Sequence, residues 1–165
     1  MDQANNRLIQ HFIAQMQAIQ SGKPWIGNSY AKVLDGLGED QMFIRPAKLK
    51  SVAAILSHLT LWREEAILKI QTGTGSKTDA CPENWLPDND LDAQGWQAIK
   101  LRYDRSHAQL IALLNDKDDS FLQQEYYDTD FKGNYTYQWM LDGILQHDIY
   151  HLGQLAVIVK HLKMD

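Results

Sequence analysis

Two histidines near the end of the chain, His147 and His151 in the segment HDIYH, stand four residues apart. In a helix this spacing puts both side chains on one face, where two imidazoles can bind the same metal ion. Met140 and Ile144 precede the pair on that stripe and Ile158 follows it, so the face is predicted to point into the core. Unpaired polar groups there would each cost about 1–3 kcal/mol. A divalent cation removes this cost because neutral imidazole is a good ligand, although hydroxyl or backbone partners would also satisfy the pair.

The best candidate for a third metal ligand is His58, which lies on another predicted helix. It lies between Ile55 and Trp62 on a stripe that is predicted to face inward. A single histidine in such surroundings is more often a core residue than a ligand, but two inward histidines on a second helix favour a ligand. His107 is the alternative: it also lies on an inner stripe, with more polar neighbours, and is predicted first as a partly buried structural histidine and second as a fourth ligand.

One polar residue lies within the histidine pair and another closely follows it. Asp148 occupies the slot that Glu fills in H-E-x-x-H, so a metalloprotease of that type is rejected. Asp148 is expected in an interhelical or solvent-facing salt bridge, with hydrogen bonding to a ligand imidazole as the alternative. Gln154, less than one turn beyond His151, is expected either to bind a water or substrate at the site or to tie helices together.

Two further residues accompany His58. Glu65, two turns on, is expected to be either site-lining or a solvated surface acid, and Trp62 is expected to form part of the core wall beside the site. Three neutral histidines would leave a metal its full charge and at least one open position, as in catalytic sites. Such an ion would acidify a bound water or thiol towards neutral pH.

Helical periodicity predicts the elements that must position these residues. Four long helices are expected. The first covers about residues 3–20, and the second begins after the N-cap Ser51 and ends near Gly73. The third covers 91–114 with Asp90 as its N-cap, and the fourth covers about 136–161. A shorter helical stretch is expected at about 25–36.

The connections are unusual for so short a chain. Residues 72–89 form a long loop with two prolines, and such loops are uncommon in a compact domain unless they cover something. The segment after the third helix lacks helical periodicity, and Phe121, Tyr126 and Tyr127 predict a short extended stretch. The sequence therefore predicts an all-α fold, a four-helix bundle with long connecting loops, in a single domain over 1–165.

The composition is that of an ordinary globular domain. Hydrophobic residues make up 44% and charged residues 22% of the 165 residues, and 16 Lys+Arg face 21 Asp+Glu for a net charge of −5. No basic cluster indicates nucleic acid or an anionic membrane as a partner. The single cysteine, Cys81, excludes an internal disulfide. The first residues lack the pattern of a signal peptide, so a cytoplasmic protein is expected.

The segments that carry these histidines resemble those of a known protein family. WMLDGILQHDIYHLGQLAVIVK resembles the last helix of the DinB-like (YfiT-like) metal-dependent proteins, where an H-x-x-x-H is followed by a Gly-Gln pair. RPAKLKSVAAILSHLTLW resembles the family's second helix, where a His precedes a Trp by one turn, and PWIGNSYAKVLDGLGEDQMFIRP fits its lead-in. The resemblance covers nearly the whole chain. It implies a four-helix bundle whose ligands match His58, His147 and His151, with zinc, nickel or another divalent ion and water in the open positions.

The resemblance leaves the reaction open. Related branches include thiol S-transferases that use bacillithiol or glutathione and mycothiol-dependent isomerases. We therefore expect a metal-dependent enzyme, thiol S-transferase-like or hydrolase-like, that acts on a small-molecule substrate. A low-molecular-weight thiol is a candidate cofactor, and a homodimer is a candidate assembly. The alternative is a non-catalytic bundle, stapled by its metal, with a binding, structural or stress-response role.

Overall fold

Helices form most of the regular structure in residues 6–164, the part of the chain that the computed structural model describes. The elements in chain order are α1 (Arg7–Ser21), α2 (Tyr30–Leu34), α3 (Val52–Thr72), α4 (Asp88–Gln94), α5 (Trp96–Asn115), β1 (Glu125–Asp128), β2 (Gly133–Thr136) and α6 (Tyr137–Leu162). Short 3-10 helices lie at Glu39–Phe43, Pro82–Trp85 and Asp119–Gln123. The predicted all-α class is confirmed. None of the helices in the described range is both long and apolar enough to cross a membrane.

Helix α3 is the central element and carries His58. It packs against α5 and α6, and most of its residues are buried. Ser51 caps its first turn by accepting a hydrogen bond from the backbone N–H of Ala54, and Gly73 ends it in the left-handed conformation at φ 75°. Both predicted ends of this helix are confirmed.

Helix α6 carries the other two histidines. The Thr136 side chain caps its first turn by accepting from the backbone N–H of Trp139. Met140, Ile144 and Ile158 are buried along one face, as the periodicity predicts. His151 is buried on this face, whereas His147 is partly exposed.

Two apolar clusters fill the interior, and a polar layer lies between them along the long helices. On α3 one cluster ends at Leu59 and the other begins at Ala66, and on α6 the gap falls between Leu145 and Leu152. The buried polar side chains in these gaps are Thr60, Arg63 and Glu65 on α3, and Asp148 and His151 on α6. The histidines therefore border a buried polar layer.

The predicted third helix is broken into two. Gly95 has φ 75° and ψ 153°, a conformation outside the helical region, so α4 ends there and α5 begins with Trp96. The N-cap prediction at Asp90 is wrong, because α4 already begins at Asp88 after Pro87. A periodic run alone does not show whether a glycine within it stays helical.

The first part of the chain follows the prediction only in part. The predicted start of the first helix at residue 3 lies outside the described residues, and α1 runs from Arg7 to Ser21. The helical stretch expected at 25–36 is limited to Tyr30–Leu34, capped by the Ser29 hydroxyl. The turn formers on either side account for its short length.

The extended stretch predicted around Tyr126 and Tyr127 is a two-stranded antiparallel hairpin in which Tyr126 pairs with Tyr135. Phe121 lies before it in a 3-10 turn. The hairpin is tied to α3, because the Lys69 ammonium lies 2.8 Å from Oδ2 of Asp128 and both side chains are buried. Together with the loop at 73–87 it borders the histidines.

Candidate metal centre

Three imidazoles converge between α3 and α6. Nε2 of His147 lies 2.9 Å from Nε2 of His58 and 3.0 Å from Nε2 of His151. Within residues 6–164 these three form the one group of His, Cys, Asp or Glu side chains close enough to share a metal ion. The structure thus brings together the three histidines selected from the sequence.

The outer nitrogens of two of these rings have defined partners. Nδ1 of His58 lies 2.9 Å from the backbone carbonyl oxygen of Asn84, and Nδ1 of His151 lies 2.8 Å from Oε1 of Gln154. Because these oxygens can only accept, each Nδ1 carries the proton. The Nε2 atoms of both rings are therefore left with lone pairs that point towards His147.

This arrangement of donors fits a cation. If Nε2 of His147 carried a proton, it could donate a well-aligned hydrogen bond to Nε2 of His58 or of His151, but not to both. If the proton instead lies on Nδ1 of His147, three lone pairs converge on one point. Imidazole nitrogens with protonated, hydrogen-bonded outer nitrogens are the usual ligands of zinc and similar divalent ions. The residues therefore suit a divalent metal ion.

The three rings are also in the charge state that metal binding requires. Burial lowers the pKa of His147 to about 3, helped by repulsion from charged forms of His151 and His58. Burial likewise lowers the pKa of His151 to about 4 and moves the pKa of His58 below its usual value. All three imidazoles are thus neutral at pH 7 and free to act as ligands.

The 3-10 turn Pro82–Trp85 covers His58. The Trp85 ring stacks on the imidazole, with ring centroids 4.0 Å apart and planes inclined by 6°. Asn84 is held by its side chain, which accepts from Nε1 of Trp62 at 2.9 Å and donates to the Asp79 carbonyl at 2.9 Å. Asn84 and Trp85 were not selected from the sequence, and the only signal for them was the unusual length of their loop.

A cavity of about 690 Å³ opens beside the histidines. Both His58 and His147 line it, together with Trp62 and a set of aromatic and acidic residues from the hairpin and from the loop at 73–87. Gly143 also lines it, and a Cβ at this position would meet nothing within 4 Å. A small molecule in this cavity would reach the point where the imidazoles converge.

The other candidate residues from the sequence lie outside the group of three histidines. Gln154 orients His151, as described above. Glu65 is buried rather than solvated and does not line the cavity; its carboxylate accepts from the backbone N–H groups of Ser76 at 2.6 Å and Lys77 at 3.1 Å. This carboxylate therefore anchors the loop that carries Asn84 and Trp85.

Asp148 belongs to the buried polar layer, and His107 lies near it. Asp148 forms a buried salt bridge with Arg63 at 2.9 Å, so it takes the interhelical role expected as one of its alternatives. His107 lies outside the three-histidine group, and its Nε2 is buried without a hydrogen-bond partner. Burial lowers the pKa of His107, which keeps this ring neutral. His107 is thus a partly buried histidine outside the group.

Comparison with known proteins gives the family of the chain. No curated protein shows a significant match to the chain. A family model described as the DinB superfamily matches residues 26–155, which include all three converging histidines. This range covers well over half of the sequence, and the chain therefore belongs to the DinB superfamily.

Proposed function

We propose that this protein is a metal-dependent enzyme that holds a divalent ion, zinc or nickel, with His58, His147 and His151 and acts on a small molecule in the adjoining cavity. The observation that carries the proposal is the convergence of three Nε2 atoms at the wall of an open cavity. The DinB superfamily membership is compatible with a metal-binding protein.

Several features favour a catalytic over a purely structural ion. Structural zinc sites are closed by four protein ligands, often cysteines, whereas catalytic sites use three and leave a position open. The described residues offer three ligands at this point, and the sole cysteine, Cys81, is not in the group. When bound, a divalent ion supplies Lewis acidity that lowers the pKa of a coordinated water or thiol.

The surrounding residues would keep the centre oriented and partly dry. The Asn84 carbonyl and the Gln154 amide fix the imidazoles of His58 and His151 in the ligand tautomer. Trp85 covers the face of His58 and so excludes water from that side. His147, which is partly exposed, borders the cavity by which a substrate would arrive. This arrangement suits hydrolase-like or thiol S-transferase-like chemistry.

Metal content is the first test. Protein stripped with a chelator and reloaded with zinc or nickel should bind one ion per chain by elemental analysis. His58→Ala and His151→Ala should lose it, whereas His107→Ala, the same change at a partly buried histidine outside the group, should retain it. A native protein that stays metal-free after loading, or loss of the ion only in His107→Ala, would overturn the assignment.

Turnover is the second test. Loaded protein would be assayed with p-nitrophenyl acetate for hydrolysis and with 1-chloro-2,4-dinitrobenzene plus cysteine, cysteamine or glutathione for thiol transfer. Activity that needs the metal and is lost in His147→Ala supports the enzyme. Because the ligands come from both α3 and α6, a metal-dependent rise in Tm without turnover in either assay would instead favour a bound ion that staples the two helices.

A further inference from the structure

We propose that the cavity beside the three histidines selects a small molecule with an apolar or aromatic body and a positively charged amine. This inference deepens the proposed function and rests on it for the reacting end of the ligand, which would lie at the metal. The amine would lie at the acidic part of the cavity wall.

Aromatic side chains form much of the wall. They come from α3, the loop at 73–87, the hairpin region and α6, and are Trp62, Trp85, Tyr126, Phe131 and Trp139. Phe131 meets Trp139 edge to face at 5.1 Å, and both remain substantially exposed, at 59% and 42%. Aromatic faces bind apolar groups and also attract cations through the negative potential of the ring.

The charged groups of the wall are mainly acidic. Asp79, Asp128 and Asp130 line the cavity, and the one basic residue that lines it is Lys69. The positive charge of Lys69 is already balanced by Asp128, because its ammonium lies 2.8 Å from that carboxylate and both side chains are buried. Burial alone would raise the pKa of Asp128, but its bonds to Lys69 and to backbone N–H groups bring that pKa below its usual value.

In the described part of the chain, the carboxylates of Asp79 and Asp130 lack a cationic partner. Within residues 6–164, no Lys or Arg lies within 4.0 Å of the carboxylate of Asp79 or Asp130. The two residues are held near one another, since the backbone N–H of Asp79 donates to Oδ1 of Asp130 at 2.9 Å. Two carboxylates that line the cavity without a cationic partner, beside aromatic faces, favour an ammonium group.

The same charges disfavour a thiol cofactor that is rich in carboxylates. Such a molecule would need basic side chains. Lys50 does not line the cavity, but its Nζ lies 4.4 Å from the ring centroid of Trp85 in the aromatic wall. Lys50 is therefore the position at which an anion would be recognised if this inference were wrong. An amine with a metal-binding group at its other end fits the charges better.

The test compares three ligands of one shape in metal-free protein at low ionic strength. 4-Phenylbutylamine, 4-phenylbutan-1-ol and 4-phenylbutanoate would be titrated by calorimetry; without metal, the amine nitrogen cannot bind as a metal ligand. The amine should bind at least five-fold more tightly than the alcohol, and the carboxylate most weakly. Asp130→Asn and Asp79→Asn should each weaken the amine several-fold and leave the alcohol unchanged.

A pair of glycine variants locates the binding. Gly143→Leu would fill the cavity and should abolish binding of both the amine and the alcohol. Gly153→Leu is the matched control, because Gly153 is also exposed on α6, does not line the cavity and has nothing within 4 Å of its Cβ position. Both glycines are helical, so the two changes alter helix propensity alike, and the control should bind as the parent does.

The outcomes separate this inference from the proposed function. The inference would be overturned if 4-phenylbutanoate bound as tightly as the amine or more tightly, above all if Lys50→Gln then abolished its binding. It would also be overturned if none of the three ligands bound. Amine binding in a protein that takes up no metal would overturn the proposed function and leave the selectivity of the cavity in place. Metal uptake without amine preference would overturn only the present inference.

Discussion

The Nδ1–H of His58 donates to the backbone carbonyl of Asn84 across 2.9 Å, although the two residues stand 26 positions apart in the chain. This bond leaves Nε2 of the ring unprotonated and aimed at His147. The carbonyl is itself held by the Asn84 side chain, which joins Nε1 of Trp62 to the carbonyl of Asp79. The loop at 73–87 thereby sets the orientation of a residue on α3.

The side chain of Asn84 should therefore affect metal affinity without contacting the metal. We expect Asn84→Ala to weaken zinc binding about 10–100-fold, the usual effect of losing a hydrogen-bonded support of a ligand histidine. Competition with a chromophoric chelator would measure it. Trp62→Phe removes only one of the two bonds to this side chain and should have a smaller effect. Unchanged affinity in Asn84→Ala would show that the carbonyl keeps its place without the side chain.

Gln154 should support His151 in the same manner. Gln154→Leu removes the acceptor for Nδ1–H at similar volume, and we expect zinc affinity to fall about ten-fold or more. Gln154→Glu keeps an acceptor and adds charge, which strengthens the hydrogen bond and makes the imidazole a better donor to the ion. Its affinity should equal or exceed that of the parent. Equal losses in both variants would contradict a hydrogen-bonding role.

The sequence was informative about the histidines because helical geometry is local. A spacing of four places His147 and His151 on one face, and capping by Ser51 and the left-handed Gly73 define the helix that carries His58. The stripes of apolar neighbours then indicate which faces meet. These inferences require only residues within a few turns of each other.

The remaining parts of the site depend on contacts that no local pattern encodes. Trp85 reaches His58 through the path of an irregular loop, and Glu65 is buried because that loop brings backbone N–H groups to its carboxylate. The break at Gly95 depends on a backbone conformation that glycine permits but does not require. Long-range packing decides each of these features.

The buried pair Arg63–Asp148 should be a sensitive point of stability. Nε and Nη1 of Arg63 and Oδ1 of Asp148 have no hydrogen-bond partner, and one 2.9 Å contact joins the two residues. Nη2 of Arg63 also donates to Oε1 of Gln20 at 3.3 Å, so Arg63 keeps one polar partner outside the pair. Removing one member leaves an uncompensated buried charge, and we expect Arg63→Met or Asp148→Leu to lower the free energy of unfolding by about 3–5 kcal/mol. Urea denaturation of metal-free protein would measure this.

Two controls define that prediction. The double variant Arg63→Met/Asp148→Leu should be more stable than either single variant, because it removes both charges together. Glu64→Gln breaks a largely exposed pair with Arg102 and should cost less than about 1 kcal/mol. If Arg63→Met were as mild as Glu64→Gln, the buried pair would not be an important source of stability.

The lowered pKa values predict how the metal-free protein responds to acid. The pKa of His147 is about 3 and that of His151 about 4 in the folded protein, against 6.5 for an unperturbed histidine. Below pH 6.5 the unfolded chain therefore takes up protons that the folded protein does not, so stability is complete above this pH and is lost as the pH falls towards the folded values.

Between pH 7 and pH 5 each of these two histidines should thus reduce the free energy of unfolding by about 2 kcal/mol. Urea denaturation of metal-free protein across this range would measure the slope. His147→Asn removes one titrating group and should flatten the slope by one histidine's share. The same slope in parent and His147→Asn would mean that His147 is readily protonated in the fold, and the three imidazoles would then not be held neutral in advance of the metal.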